Sequence, residues 1–284
     1  MKSSQRLLIV LVLLIGLTMV GRIVAQETTA EPEILTPNLV ILADGEPVSG
    51  ELDVNNPLHA RLYTFGATTG DTVSITMNTS DADLLDPYLL VYSPSGNLIA
   101  FDDDSGGMPN ALIDRQEIVE TGNYYILATT FTVVSDIFFP LGVDLRAESE
   151  DASPVAFDIT VTDNIDPEVA PNFIPATLGE TLELSATEES LIQYVVFAVT
   201  EGSPVTLAAQ SDTVDTLLYL FDTDGNLIAV NDDIDFTGDN TDSLIVDIAV
   251  PADGVYLAFV TVAFYQTAFD EPLFTIGDIT LNVE

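Results

Sequence analysis

The sequence contains no cysteine and no tryptophan, and its only histidine is His59. Without cysteine the chain has no disulfides, no thiolate metal ligands and no residue for a lipoprotein-type acyl anchor. A serine triad needs a base beside its nucleophile, and no Gly-x-Ser-x-Gly elbow is present. His59 stands at a predicted strand start beside Arg61, which is typical of a surface residue. The sequence therefore predicts a protein that is not an enzyme.

Basic residues are also scarce: the chain has 6 Lys and Arg against 46 Asp and Glu, a net charge of −40. Three of the six (Lys2, Arg6 and Arg22) precede residue 26, so a chain cleaved there carries 3 − 46 = −43. Binding to nucleic acids and to anionic membranes depends on Lys and Arg, so both are excluded as partners. Cations or a basic partner are the expected ligands. The alternative is that the charge only keeps an exported protein soluble.

The first 25 residues have the pattern of a secretory signal peptide. Lys2 and Arg6 form a positive n-region, the apolar run 7–20 follows, and Ala25 offers a small residue for cleavage. The run is shorter than the roughly 20 residues that a membrane-spanning helix needs, although an uncleaved N-terminal anchor is the alternative. We expect a secreted protein, extracellular or at the cell surface, with a flexible leader at 26–37.

The rest of the chain is an internal repeat. The block 86–104 recurs as 215–233, and the pentapeptide Gly-Asn-Leu-Ile-Ala is identical at 96–100 and 225–229, an offset of 225 − 96 = 129. A period this long indicates duplicated domains rather than a solenoid. We expect one domain at 38–162, a proline-interrupted linker at 163–171 and a second domain at 172–284.

Within each copy the hydrophobic period is two, which is the period of a half-buried strand. Val73, Ile75 and Met77 alternate with polar residues, and the runs 88–92 and 217–221 are apolar throughout, as central strands are. No amphipathic helix is evident. Many short strands between turns predict an all-β fold of two tandem antiparallel β-sandwich domains with jelly-roll-like topology.

Several motifs of the first copy together resemble the bacterial pre-peptidase C-terminal (PPC) domain, a relative of the collagen-binding domains of collagenases. They are Tyr63-Thr64-Phe65, Gly70-Asp71, Asp86-Pro87-Tyr88-Leu89, the turn at 93–100, Asp102-Asp103-Asp104 and Gly122-Asn123-Tyr124-Tyr125-Ile126. The second copy departs at Thr216 and Leu217, which replace Pro-Tyr, and at Asn231, which replaces the first aspartate of the cluster. The resemblance implies a sandwich, export and an accessory or binding role, with calcium in some relatives, but no peptidase activity.

Two aspartate clusters are the candidate metal ligands. Calcium takes six to eight oxygens, largely from carboxylates and carbonyls on flexible loops. In the first copy the candidates are Asp102, Asp103 and Asp104, and in the second they are Asp232, Asp233 and Asp235. The alternative is an acidic turn whose aspartates cap backbone N–H groups.

The sequence thus predicts a secreted, non-catalytic accessory or binding protein, stabilised by calcium, that engages an extracellular protein or polysaccharide. The alternatives are a structural component of the cell envelope and a hydrolase with a carboxylate-based site. An apolar insertion at 135–142 could dock a partner or pack on its own sandwich. Tyr63, Tyr88, Tyr92, Tyr124 and Tyr125 could form a binding face, but their positions within strands favour core or sheet-edge packing.

Overall fold

The computed structural model describes residues 35–52, 58–131, 154–163, 172–234, 240–263 and 275–284. The predicted signal peptide, residues 26–34 of the leader, the linker after Asp163 and the apolar insertion at 135–142 lie outside the described residues. The described residues belong to one compact unit. Among them there is no helix that is long and apolar enough to cross a membrane.

The first copy of the repeat contributes nine strands: β1 (Val40–Ile41), β2 (Val48–Leu52), β3 (Arg61–Ala67), β4 (Thr72–Thr79), β5 (Pro87–Tyr92), β6 (Leu98–Asp102), β7 (Ala111–Glu117), β8 (Gly122–Thr130) and β9 (Val155–Thr162). They form two sheets, a five-stranded one in the order β1-β3-β8-β5-β6 and a four-stranded one in the order β2-β9-β4-β7.

The second copy contributes nine more: β10 (Ile174–Ala176), β11 (Glu180–Ala186), β12 (Gln193–Val199), β13 (Pro204–Gln210), β14 (Thr216–Phe221), β15 (Leu227–Asn231), β16 (Ser243–Ala249), β17 (Gly254–Val262) and β18 (Gly277–Val283). Their two sheets run β10-β12-β17-β14-β15 and β11-β18-β13-β16, so the strand order of the first copy is repeated. Strand pairs are antiparallel apart from β1–β3 and β10–β12, which are parallel. The prediction of an all-β fold with two sandwiches is confirmed.

Each sandwich encloses its own apolar core, and the period-two pattern decides which side chains enter it. In β4, Val73, Ile75 and Met77 are fully buried, as the alternation predicted.

Both copies contain the same tyrosine corner, near the start of β8 and of β17. The Tyr124 hydroxyl donates to the Glu120 carbonyl at 2.7 Å, and the Tyr256 hydroxyl donates to the Ala252 carbonyl at 2.8 Å. Such a bond anchors the start of a strand to the preceding turn.

A third apolar cluster joins the two sandwiches, because the five-stranded sheets pack outer face against outer face. At its centre the ring centroid of Tyr194 lies 4.4 Å from the ring centroid of Tyr125 and 4.9 Å from that of Phe259. The buried Tyr194 hydroxyl donates to the Ser93 carbonyl of the other sandwich at 2.9 Å. Two sandwiches joined by such a cluster form a single body.

The repeated Gly-Asn-Leu-Ile-Ala turn takes part in this contact from both sides. The Gly225 carbonyl accepts from the Leu62 N–H at 2.8 Å, and the Leu227 N–H donates to the Ala60 carbonyl at 3.0 Å. From the other copy, the Asn97 side chain donates to the Glu189 carbonyl at 3.1 Å. Each turn therefore docks at the other sandwich near the start of the equivalent strand.

The five tyrosines considered as a binding face are placed by the same architecture. Tyr63 and Tyr124 lie in the core of the first sandwich, and Tyr92 and Tyr125 lie in the cluster between the sandwiches. Tyr88 packs at the margin of that cluster and is half-buried. Packing inside the fold, which the strand positions favoured, is therefore confirmed for Tyr63, Tyr92, Tyr124 and Tyr125, whereas Tyr88 stays partly exposed.

Candidate metal centre

Three aspartates of the second copy meet where β14 begins and β15 ends. Asp215 directly precedes β14, while Asp232 and Asp233 directly follow β15. Because β14 and β15 pair antiparallel, with Leu218 opposite Asn231, these two positions share one edge of the sheet. One carboxylate oxygen from each aspartate lies within 4.8 Å of the other two.

Backbone contacts to β16 hold the loop that carries two of these aspartates. The Asn231 side-chain oxygen accepts from the Leu244 N–H at 2.6 Å. The Ser243 hydroxyl donates to the Asp232 carbonyl at 2.7 Å. Strand β16 of the other sheet therefore anchors the backbone of this loop.

The electrostatics of Asp232 are unfavourable in the absence of a cation. Burial raises the pKa of this carboxyl, and the neighbouring Asp215 and Asp233 carboxylates raise it further, to about 7. Its Oδ1 atom is buried and has no hydrogen-bond partner among the described residues. A carboxylate that is withdrawn from water and faces two others is stabilised either by a proton or by a cation.

The first copy repeats these positions with a looser arrangement. Asp86, Asp103 and Asp104 stand 129 residues before Asp215, Asp232 and Asp233. Burial raises the pKa of Asp86, and Asp104 and Asp103 raise it further, so the three carboxylates are neighbours. Within the described parts of the chain, only the second-copy trio has carboxylate oxygens that all lie within 4.8 Å of one another.

Two of the predicted first-copy ligands are engaged in the turn itself. The Asp102 Oδ2 atom accepts from the Ser105 N–H at 3.0 Å and from the Leu112 N–H at 2.8 Å. Asp103 Oδ1 accepts from the Asp104 N–H at 2.9 Å. These bonds are those of a capped acidic turn, and a metal role for Asp102, Asp103 and Asp104 stays a prediction.

The structure thus brings together two of the predicted ligands, Asp232 and Asp233, and adds Asp215, which sequence reasoning did not select as a ligand. Asp235 lies outside the described residues. The sequence does contain a sign of Asp215: the repeated block begins with aspartate in both copies, although the two residues after it differ between the copies. Asn231 makes the same backbone contact as Asp102, so its replacement of an aspartate leaves the loop anchored.

The donor set fits a hard divalent cation. Three carboxylates offer up to six oxygens, and calcium accepts carboxylates in one- or two-oxygen contacts with water completing the shell. Soft metals are disfavoured because they prefer thiolate and imidazole ligands. Asp215, Asp232 and Asp233 are therefore the residues that would hold calcium.

Comparisons with known proteins find likenesses only at a low level. No family model matches the chain, and no curated protein is similar to it at a significant level. Among solved structures, the chain is similar to the pre-peptidase C-terminal domain of a collagenase from Bacillus anthracis, with 16% identity and a TM-score of 0.31 over 40% of this chain and 95% of that one. That domain is of the family that the first-copy motifs resemble.

Two further likenesses span more of the chain. One is a protein from Eubacterium rectale that is described as secreted. It shares 12% identity with a TM-score of 0.25 over 84% of this chain and 73% of that one. The VP2 subviral particle of infectious bursal disease virus shares 11% identity with a TM-score of 0.20 over 84% and 71%.

Proposed function

We propose that the chain is a secreted, non-catalytic binding protein whose second sandwich is stabilised by calcium held by Asp215, Asp232 and Asp233. The observation that carries the calcium site is the convergence of three carboxylate oxygens within 4.8 Å. The buried Asp232 Oδ1 atom, which no described group satisfies by a hydrogen bond, adds to it. A calcium ion would supply the positive charge that offsets the negative charge of these carboxylates.

Calcium would act on stability rather than on chemistry. It would tie the residue before β14 to the loop after β15, and it would remove the repulsion that raises the pKa of Asp232. A ligand that binds only the folded state raises the free energy of unfolding. Well above Kd, this increase grows with the logarithm of the ratio of ligand concentration to Kd.

The binding role is supported by what the chain offers on its surface. It has no cysteine nucleophile and only one histidine to act as a base, and its net charge of −40 makes it rich in groups that attract cations. The resemblance of the first copy to PPC domains implies an accessory role. The partner we propose is an extracellular protein or polysaccharide, and export follows from the predicted signal peptide.

Thermal unfolding of the cleaved protein tests the calcium site. We expect the unfolding midpoint to rise by several degrees from EDTA to millimolar calcium, and to rise less with magnesium at equal ionic strength, because magnesium demands a stricter octahedral shell. Asp215→Asn and Asp232→Asn should abolish the calcium-specific rise. Asp212→Asn, which changes an exposed carboxylate in the same segment, should leave it intact. An equal response to all salts would sink the proposal.

Two other functions remain as alternatives. A structural envelope component would self-associate and take no foreign ligand, which sedimentation of the cleaved protein would reveal. A carboxylate-based hydrolase gains some support from Asp232, since a carboxyl with a pKa of about 7 suits a general acid. Turnover of a glycan or peptide library that Asp232→Asn abolishes would favour the hydrolase over the binding protein.

A further inference from the structure

A row of three aromatic rings lies at one end of the sheet β1-β3-β8-β5-β6. Tyr88 of β5 stands in the middle, with its ring centroid 6.3 Å from that of Phe101 in β6 and 6.2 Å from that of Phe131, which follows β8. The rings of Tyr88 and Phe101 are parallel to within 3°. Phe101 is 58% exposed and Phe131 is 47% exposed, although both are large apolar side chains.

This aromatic row continues the sheet face that joins the two sandwiches. Phe101 lies opposite Leu90 in the β5–β6 register, and Leu90 belongs to the cluster between the sandwiches. Tyr88 packs against the margin of that cluster. The row is thus the part of an established contact face that the second sandwich leaves exposed.

The fold itself does not require aromatic residues here. Phe131 donates its N–H to the Asp86 carbonyl at 2.9 Å, and in the second copy Ala263 makes the equivalent bond to Asp215 at 2.8 Å. At the positions equivalent to Tyr88 and Phe101, the second copy has Leu217 and Val230. Equivalent strands therefore form with aliphatic side chains, which leaves the aromatic row free to serve binding.

Carboxylates border the aromatic row. Asp86 is tied to Phe131 through its carbonyl, and Asp103 and Asp104 are its charged neighbours. Asp103 and Asp104 follow Phe101 within three residues, at the end of β6. Burial raises the pKa of the Tyr88 hydroxyl, and Asp103 and Asp102 raise it further. Aromatic faces attract cations through the ring quadrupole, and nearby carboxylates add charge-assisted hydrogen bonds.

We propose that the aromatic row of Tyr88, Phe101 and Phe131, with its border of aspartates, binds a lysine- or arginine-rich segment of a partner protein. The proposal rests on the binding role inferred above and names the class of partner, and it is independent of the calcium site. A net charge of −40 speeds the approach of a basic polypeptide. A neutral glycan would gain only the stacking contribution.

The absence of tryptophan provides a clean reporter. Phe101→Trp places a single indole in the row and keeps the cation–π face, for which Trp is the best residue. Titration with a short peptide of alternating arginine and glycine should change the emission in a saturable way, and a glutamate–glycine peptide should not. In this background Phe131→Leu should weaken binding about two- to fivefold, the range expected for one exposed cation–π contact.

A second reporter separates specific binding from diffuse charge attraction. Ile234→Trp places an indole at an exposed position directly after Asp233, beside the acidic cluster of the second copy. It should show no saturable response at the peptide concentrations that saturate the first reporter. An equal response, or an unchanged affinity after Phe131→Leu, would overturn the proposal in favour of non-specific attraction.

Two further arms distinguish the remaining outcomes. A neutral chito-oligosaccharide that saturates the signal where the arginine peptide does not would assign the row to glycans and also overturn the proposal. Repeating the peptide titration with Asp215→Asn, in EDTA, should leave the affinity unchanged. Failure of the calcium site and failure of the aromatic row are therefore measured separately.

Discussion

At the scale of single residues, the Asp232 carboxylate lowers the stability of the folded protein when no cation is bound. Its pKa of about 7 in the folded state compares with an ordinary value of 3.8. A carboxyl whose pKa is raised by folding binds its proton more tightly in the folded state. Stability from this group is therefore fully present below about pH 4 and is lost as pH rises towards 7.

This sign leads to a prediction for Asp232→Asn, which keeps the shape of the side chain and removes its charge. In EDTA at pH 8 the variant should be more stable than the parent chain, and the difference should vanish near pH 4. With millimolar calcium at pH 8 the order should reverse, because only the parent holds the ion. Urea unfolding at several pH values, with and without calcium, measures all three relations. A variant that is less stable in EDTA at every pH would contradict the idea.

The sequence shows the limits of prediction at this scale. Asp232 and Asp233 were found because they are adjacent in a loop after a strand. Asp215 lies 17 residues earlier, since 232 − 215 = 17, and it joins them only through the antiparallel pairing of β14 with β15. That pairing brings the two ends to one sheet edge, and a linear pattern does not state it.

At the scale of elements, the repeated turn is the feature with the most consequence. Identity of Gly-Asn-Leu-Ile-Ala in both copies predicts a turn, and the structure shows why its first residue is glycine. Gly225 has a φ of +84°, and an added Cβ would lie 2.6 Å from the Leu62 carbonyl oxygen of the other sandwich. At Gly96, also at φ +84°, an added Cβ would lie 2.5 Å from the Ile192 nitrogen.

Gly225→Ala and Gly202→Ala form a matched pair that isolates this contact. Both glycines have positive φ, but an added Cβ at Gly202 would meet nothing within 4 Å. Gly202→Ala should cost only the left-handed backbone strain, about 1 kcal/mol. Gly225→Ala should cost at least about 1 kcal/mol more, since a backbone carbonyl must move. Equal losses in urea unfolding would mean that the turn does not dock tightly on the other sandwich.

Strands could be predicted because alternating side chains show which face enters a core. The same pattern does not show where two sandwiches contact each other. In β4, the alternation of Val73, Ile75 and Met77 identifies the face that enters the core. By contrast, β5 is apolar on both faces, and such a pattern indicates only that both are covered. Leu89 and Val91 enter the core of the first sandwich, whereas Leu90 and Tyr92 contact the second.

At the scale of the whole molecule, the cluster between the sandwiches couples two cores that each copy could form alone. Phe259 is central to it, with its ring 4.9 Å from that of Tyr194 and 4.8 Å from that of Phe221. Separating the sandwiches would expose this aromatic surface to water. We therefore expect both sandwiches to unfold in one transition, so that their slowest amides exchange with the same opening free energy.

Phe259→Ala tests this coupling, because it opens a cavity in the contact and should cost about 3–5 kcal/mol. Hydrogen exchange should then give different opening free energies for β4 in the first sandwich and β13 in the second. Tyr194→Phe is the milder comparison: it removes only the hydroxyl that donates to Ser93. It should cost about 1 kcal/mol and keep the two values equal. Values that already differ in the parent chain would show that the contact holds the sandwiches together without making them unfold as one.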